Sequence, residues 1–204
     1  MYEKFGKRGL DLIAASTALI LLALPSIALI LWVKLDSKGP VFFKQLRYGK
    51  DKKPFTVYKF RTMSTEAPRD IATNSFKNAS DYITRSGKIM RRLSIDELPQ
   101  LINVLRGEMS IIGPRPVVLS EKKLIALRDK YGANSIKPGI TGWAQVNGRD
   151  EVEDTLKARM DGEYVRRCGV KTDAKVALRT ILVIGVAAGY VEGHEQVGEA
   201  KGRA

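Results

Sequence analysis

The sequence predicts an α+β protein, mainly helical, in which an N-terminal helical hairpin re-enters a membrane and packs on a small domain. Short strands and amphipathic surface helices are expected to build that domain. Three observations carry this reading. An apolar run from Leu12 to Val33 is broken by Pro25 and has lysines or arginines before and after it. Short stretches around 41–60 and 109–112 are rich in β-branched and aromatic residues. From Leu98 onward, apolar residues recur at helical spacing.

The apolar run is long enough to be a membrane segment. Pro25 frees the Leu21 carbonyl and clashes with it, so the helix must bend there. Leu24 is pushed toward extended angles, and Ser26 can re-satisfy freed backbone groups. Lys4, Lys7 and Arg8 precede the run, and Lys34, Lys38 and Lys44 follow it. A spanning helix normally carries its basic excess on one side. Basic residues at both ends suit a re-entrant segment over residues 1–36, with a kinked span as the competing reading.

Gly39-Pro40 marks the exit into a domain over residues 37–190. Val41 to Phe43 and Pro54 to Phe60 read as strands joined by a turn at Tyr48 to Asp51. Residues 64–82 are polar and aperiodic, which suits a surface loop over a site or a plain insertion. Leu98, Leu101, Ile102 and Leu105 form one apolar stripe of a helix that stops at Gly107. Ser94 to Glu97 has capping-box spacing. A helix starting near Asp96 would place Pro99 in its first turn, where the missing N–H is harmless. Asp96 and Glu97 would then sit at the positive end of its dipole.

Met109 to Ile112 reads as a strand ending in the rigid turn Gly113-Pro114-Arg115-Pro116. Helices are expected over 119–131 and 151–167. Lys137 to Arg149 reads as a shaped, glycine-rich loop lining a site. A last helix covers 173–189, packed in the core or lying on a membrane surface. The tail, 191–204, is expected to be flexible.

With 35 Lys and Arg against 22 Asp and Glu, the net charge of +13 implies an anionic partner. Basic residues are spread along the chain rather than clustered, and a nucleic-acid interface leaves the apolar run unexplained, so no nucleic-acid partner is expected. Cys168 and His194 are each the only residue of their kind. That removes intramolecular disulfides, multi-cysteine zinc sites, and Ser-His-Asp or Cys-His catalysis. Any chemistry must rest on carboxylates, hydroxyls, Lys, Arg or a metal. Asp96 and Glu97, close in sequence to Lys88, Arg91 and Arg92, form the sharpest constellation. Taken alone, they suit a helix cap as well as phosphate chemistry. In the second case, carboxylates hold Mg2+ while arginine forks grip phosphate oxygens, and a free carboxylate can attack phosphorus.

Four motifs resemble, in order, the bacterial sugar transferases. They are Lys59-Phe60-Arg61-Thr62-Met63, Asp96-Glu97-Leu98-Pro99-Gln100, Gly113-Pro114-Arg115-Pro116, and Lys137-Pro138-Gly139-Ile140-Thr141-Gly142-Trp143. The chain is similar to the small monotopic phosphoglycosyl transferases that use polyprenyl phosphate, over nearly its whole length from Lys7-Arg8 to about residue 185. It looks like their minimal catalytic form.

The resemblance implies a catalytic domain on the cytoplasmic face of the bacterial inner membrane. It implies transfer of a sugar 1-phosphate from a UDP-sugar to undecaprenyl phosphate, releasing UMP, at the first step of a surface glycan or glycoconjugate pathway such as exopolysaccharide, capsule or lipopolysaccharide. Asp96 would form the covalent phosphosugar intermediate, and Glu97 would help hold Mg2+ or tune Asp96, both serving as metal ligands. Arg115 is expected to grip a phosphate, with Lys59, Arg61 and Arg91 as further candidates and Gln145 and Arg149 from the glycine-rich stretch. Membrane lipids are expected partners, and a homodimer is compatible with this reading. The family breaks its re-entrant helix at a Ser-Pro pair; here the order is Leu24-Pro25-Ser26.

Overall fold

In a computed structural model, residue 2 and residues 6–68, 78–148 and 153–189 are described. Arg149 and the tail over 191–204 lie outside them. Helices dominate, and two two-stranded sheets complete an α+β fold.

The apolar run forms α1, Lys7–Leu21, and α2, Ala23–Asp36. The two are bent by 64°. The break lies at Leu22 (φ −95°, ψ 5°), not at Pro25. Leu24 is helical, contrary to the expectation from its following proline. The reason is positional. Pro25 falls in the first turn of α2, where backbone N–H groups lack intrahelical acceptors anyway. The Ser26 N–H reaches the Leu22 carbonyl at 2.9 Å, restarting the ladder beyond the break.

β1, Phe42–Tyr48, pairs antiparallel with β2, Pro54–Phe60, in a register from Phe42 opposite Phe60 to Tyr48 opposite Pro54. The first strand is therefore longer than its apolar start suggests. Phe55 and Val57 are buried on one face of β2, and Lys59 occupies the next alternate position. A helix not expected from the sequence, α3, Arg85–Arg92, follows; the Thr84 side chain caps it by accepting from the Gly87 N–H.

The expected capping box does not form. Ser94 is in the left-handed region (φ 56°, ψ 18°) and makes no side-chain cap. Ile95–Glu97 is a 3₁₀ turn, and α4, Gln100–Arg106, begins only after Pro99. Its apolar stripe is also rotated from the expected one. Leu101 and Val104 are buried, whereas Ile102 and Leu105 are exposed. Asn103 sets this rotation. Its side chain accepts from the Tyr58 N–H and donates to the Thr56 carbonyl, stitching α4 to β2.

β3, Ser110–Ile112, pairs in parallel with β4, Gly139–Thr141. α5, Lys122–Lys130, lies between them in sequence. Part of the expected glycine-rich loop is thus a strand, and most of the rest is α6, Trp143–Gly148. Gly113 and Gly139 allow this pairing: a Cβ on Gly113 would lie 2.5 Å from the Lys137 carbonyl oxygen. α7, Asp154–Arg167, and α8, Val170–Gly189, close the fold.

Both ends of the bent pair are fastened to this domain. Ala15 is buried against Phe55, Val57, Leu101 and Val104. The Asp11 carboxylate accepts from the Ser110 hydroxyl and the Ile111 N–H, and Lys7 pairs with Asp173 at 2.6 Å. At the other end, Val33 packs with Phe60 and Met90, and Asp36 accepts from the Ser86 N–H and hydroxyl. The middle of the pair is bare, with Ile20, Leu21 and Leu24 more than 70 % exposed.

Candidate active site

Asp96 and Glu97 face a cleft of about 1040 Å³ that Lys59, Arg61, Arg91, Arg115 and Gln145 also line. The strained Ser94 turns the chain out of α3 and aims the 3₁₀ turn at this cleft. Both carboxylates are buried, yet their surroundings differ. Lys59 Nζ lies 2.5 Å from Glu97 Oε1 and 3.8 Å from Asp96 Oδ2. Arg115 Nη1 lies 3.1 Å from the same Glu97 oxygen. Burial would raise the Glu97 pKa, but Arg115 and Lys59 together hold it down at about 2. Asp96 goes the other way: burial pushes its pKa above the ordinary aspartate value, and Glu97 beside it adds to the rise against the pull of Lys59, Arg115 and Arg91. One carboxylate is thus tied up in ion pairs, and the other is desolvated and less firmly held.

The remaining candidates separate by what their donors do. Arg91 Nε donates to the Thr62 hydroxyl at 2.8 Å, which holds the guanidinium near Asp96. The Arg61 guanidinium donates to the Ser37 and Lys38 carbonyls at 2.7 and 2.6 Å and to the Ser37 hydroxyl. These bonds clamp the exit from α2, while the side chain still lines the cleft. Gln145 sits in α6 and donates to the Ile140 carbonyl at 3.2 Å.

The turn carrying Arg115 is gripped by its carbonyls. Prolines lack N–H groups, so this turn can offer few donors of its own. The Pro114 carbonyl accepts from the Gly139 N–H at 2.9 Å, the Arg115 carbonyl from Arg128 Nη1 at 2.8 Å, and the Pro116 carbonyl from Arg47 Nη1 at 2.9 Å. Arg128 is itself buried and locked to Asp161 through Nε at 2.8 Å and Nη2 at 2.6 Å. Arg47, Arg128 and Asp161 escape a motif reading. The continuation of strand alternation through Gln45 and Arg47 is the one signal that could have flagged Arg47.

Among the described residues, no group of three or more His, Cys, Asp or Glu side chains could hold a metal by itself. Asp96 and Glu97 fit a Mg2+ ion of the other kind, bound by one or two carboxylates and completed by substrate phosphates and water.

Comparison with known proteins identifies the family. The family model described as bacterial sugar transferase matches residues 2–186. The UDP-glucose:undecaprenyl-phosphate glucose-1-phosphate transferase of Escherichia coli (strain K12) is 41% identical over 86% of this chain, which spans only 39% of that protein. The uncharacterized sugar transferase EpsL of Bacillus subtilis (strain 168) is 41% identical, with 90% of this chain and 89% of the relative aligned. A UDP-N-acetylgalactosamine-undecaprenyl-phosphate N-acetylgalactosaminephosphotransferase of Aeromonas hydrophila is 37% identical over 88% of this chain and 44% of its own length. With the family model covering nearly the whole chain and the matched motifs converging on one cleft, this protein belongs to the bacterial sugar transferase family.

Proposed function

We propose that this chain transfers a sugar 1-phosphate from a UDP-sugar to undecaprenyl phosphate, releasing UMP. The observation that carries the reading is the unequal pair at the cleft. Glu97 is neutralised by Lys59 and Arg115, while Asp96 is desolvated with a raised pKa. A more basic carboxylate is the better nucleophile, and desolvation strips the water that would shield it. Asp96 therefore attacks the β-phosphorus. An oxygen–phosphorus bond forms, the bond to the bridging oxygen breaks, and UMP leaves with the electron pair. A phosphate oxygen of undecaprenyl phosphate then attacks the same phosphorus and displaces the Asp96 carboxylate. Lys59, Arg91 and Arg115 offset the charge of the transferring group. When bound, Mg2+ would be held by Asp96 and Glu97 and would neutralise pyrophosphate charge.

The membrane reading rests on where the bent pair is fastened. A kinked span would put Lys7 and Asp36 on opposite sides of the bilayer, yet both are tied to the same domain. Each arm is about 21–22 Å long at about 1.5 Å per residue. Arms meeting symmetrically at 64° would each incline about 32° and reach about 11 Å deep, short of the ~15 Å to the middle of a ~30 Å core. Both observations support a pair that enters and leaves on one face, which in this proposal is the cytoplasmic face of the bacterial inner membrane, the side that supplies the UDP-sugar. A cysteine at position 2, probed in sealed vesicles, tests this: labelling from the periplasmic side would sink the hairpin. The product suits the first step of a surface glycan pathway.

The reaction is tested by UMP release from purified protein given undecaprenyl phosphate, Mg2+ and a panel of UDP-sugars. Release with one sugar, lost in Asp96→Asn and with chelator, is the expected result. Release that persists in Asp96→Asn would overturn the role of Asp96.

A further inference from the structure

Arg47 is a cation of the cleft whose side-chain hydrogen bonds all go to neutral groups among the described residues. Arg47 projects from β1 into the same cleft as Asp96, Glu97 and Arg115. Its Nε and Nη2 donate to Gln45 Oε1 at 2.9 and 2.6 Å, and its Nη1 to the Pro116 carbonyl at 2.9 Å. Both partners are neutral. Lys59, Arg115 and Arg128 each reach a carboxylate, but among the described residues none forms an ion pair with Arg47. Glu121, the nearest acid in influence, is turned to the Val118 N–H at 3.1 Å. Arg115 stands close by with the same sign of charge, and together with burial it lowers the Arg47 pKa to about 10.

This arrangement is costly without a ligand. A half-buried guanidinium beside a second one, with neutral partners only, carries charge that an anion would relieve. The three bonds fix its plane, and they occupy three of the five N–H groups that a guanidinium carries. Two donors remain for a planar acceptor, and a phosphate oxygen pair is such an acceptor. The Pro116 carbonyl couples this guanidinium to the turn that bears Arg115, so the two forks are held in fixed relation.

We infer that Arg47 forms a second phosphate subsite in the cleft, gripping a phosphate that is not the one under attack. The inference rests on the proposed transfer reaction. Two phosphates have this chemistry: the uridine-side phosphate of the donor, and the phosphate of the lipid acceptor.

The test measures steady-state kinetics with each substrate varied in turn, on wild type, Arg47→Gln and Arg47→Lys, with thermal melting of each. Wild-type turnover is established first, so failure of the reaction itself is separate from failure of this subsite. The expected result is a rise of tenfold or more in KM for one substrate, with the other KM within twofold and the melting temperature little changed. A rise for the UDP-sugar places the donor phosphate at Arg47; a rise for undecaprenyl phosphate places the acceptor there. Arg47→Lys, which keeps the charge and loses the fork, should fall between wild type and Arg47→Gln. If Arg47→Gln does not fold, the same KM criterion is applied to Arg47→Lys. Unchanged KM values for both substrates, or a fall in kcat alone, overturn the subsite and leave Arg47 as a prop for Pro116.

Discussion

Removing Arg128 should both weaken the fold and unseat Arg115. Its ion pair with Asp161 is almost fully enclosed, with side chains 4% and 1% exposed. Truncating one member of such a pair leaves a buried charge uncompensated, at about 3–5 kcal/mol. At about 2–4 °C per kcal/mol for a chain of this size, Arg128→Met should lower the melting temperature by roughly 6–20 °C. The double variant Arg128→Met/Asp161→Leu separates the two effects. It removes both charges and refills the space, so most of the stability should return. The Arg115 carbonyl would still have lost its 2.8 Å donor. Turnover should therefore remain depressed by about tenfold, the equivalent of one hydrogen bond of roughly 1.4 kcal/mol. Differential scanning fluorimetry in detergent gives the first quantity and UMP release the second. A double variant that recovers full activity along with stability would refute the positioning argument. A single variant that melts within 2 °C of wild type would refute the assigned role of the pair in stability.

The acid pair, the second sheet and the bent helices each carry further expected outcomes. Asp96→Asn should cut UMP release by at least about a thousandfold while keeping the fold, as judged by circular dichroism. The rate of UMP release should fall as pH drops through a value above the ordinary aspartate range, because burial raises Asp96, while Glu97, held at about 2, stays ionised through that window. The linkage signs are opposite: ionised Asp96 costs stability above its unfolded pKa, so Asp96→Asn should gain on wild type toward neutral pH, whereas Glu97 contributes stability above its unfolded pKa that is lost only as pH falls toward 2. Gly113→Ala should disrupt the β3–β4 contact, since its new Cβ meets the backbone oxygen of Lys137 at 2.5 Å, and a protein that melts like wild type would contradict that crowding. Leu24→Arg, at the bare vertex of the bent pair, should shift the protein from membrane to soluble fractions, at about 2.5–3.5 kcal/mol for a charge in the bilayer core; unchanged flotation with vesicles would argue that the vertex does not enter the membrane.

Much of the architecture follows from local pattern. A continuous apolar run, a proline within it and basic residues at both ends are properties of neighbouring residues, and they correctly place a broken helix at the N-terminus. Strand alternation likewise locates β2, and Gly107 ends α4 where a left-handed stop is needed (φ 81°). Helix α3 carries little sequence signal, because Arg85–Arg92 is largely polar and has only Ile89 and Met90 to mark a face. Spacing at Ser94 suits a capping box but does not reveal the left-handed backbone that prevents it. Apolar spacing does not locate the buried side of α4, because Asn103, a polar residue, faces the core.

The candidate site divides in the same way. Asp96, Glu97, Lys59, Arg91 and Arg115 are legible as residue types in motifs, since carboxylates and cations in that pattern suit phosphate chemistry. Which carboxylate is neutralised and which is left more basic depends on Lys59, 38 residues away from Glu97 in the chain, and on Arg115. The grip on the Arg115 turn depends on Arg47 and on Arg128, whose partner Asp161 lies 33 residues further on. Periodicity, composition and motif spacing act over a few residues, and they are enough to specify the broken apolar helix, the α+β class and the chemical types at the site. The unequal surroundings of the two acids, the contacts of Arg61 with the exit from α2 and the neutral partners of Arg47 emerge only in three dimensions. Each of these is an electrostatic property set by distance in space and by exclusion of water, neither of which is written in sequence separation.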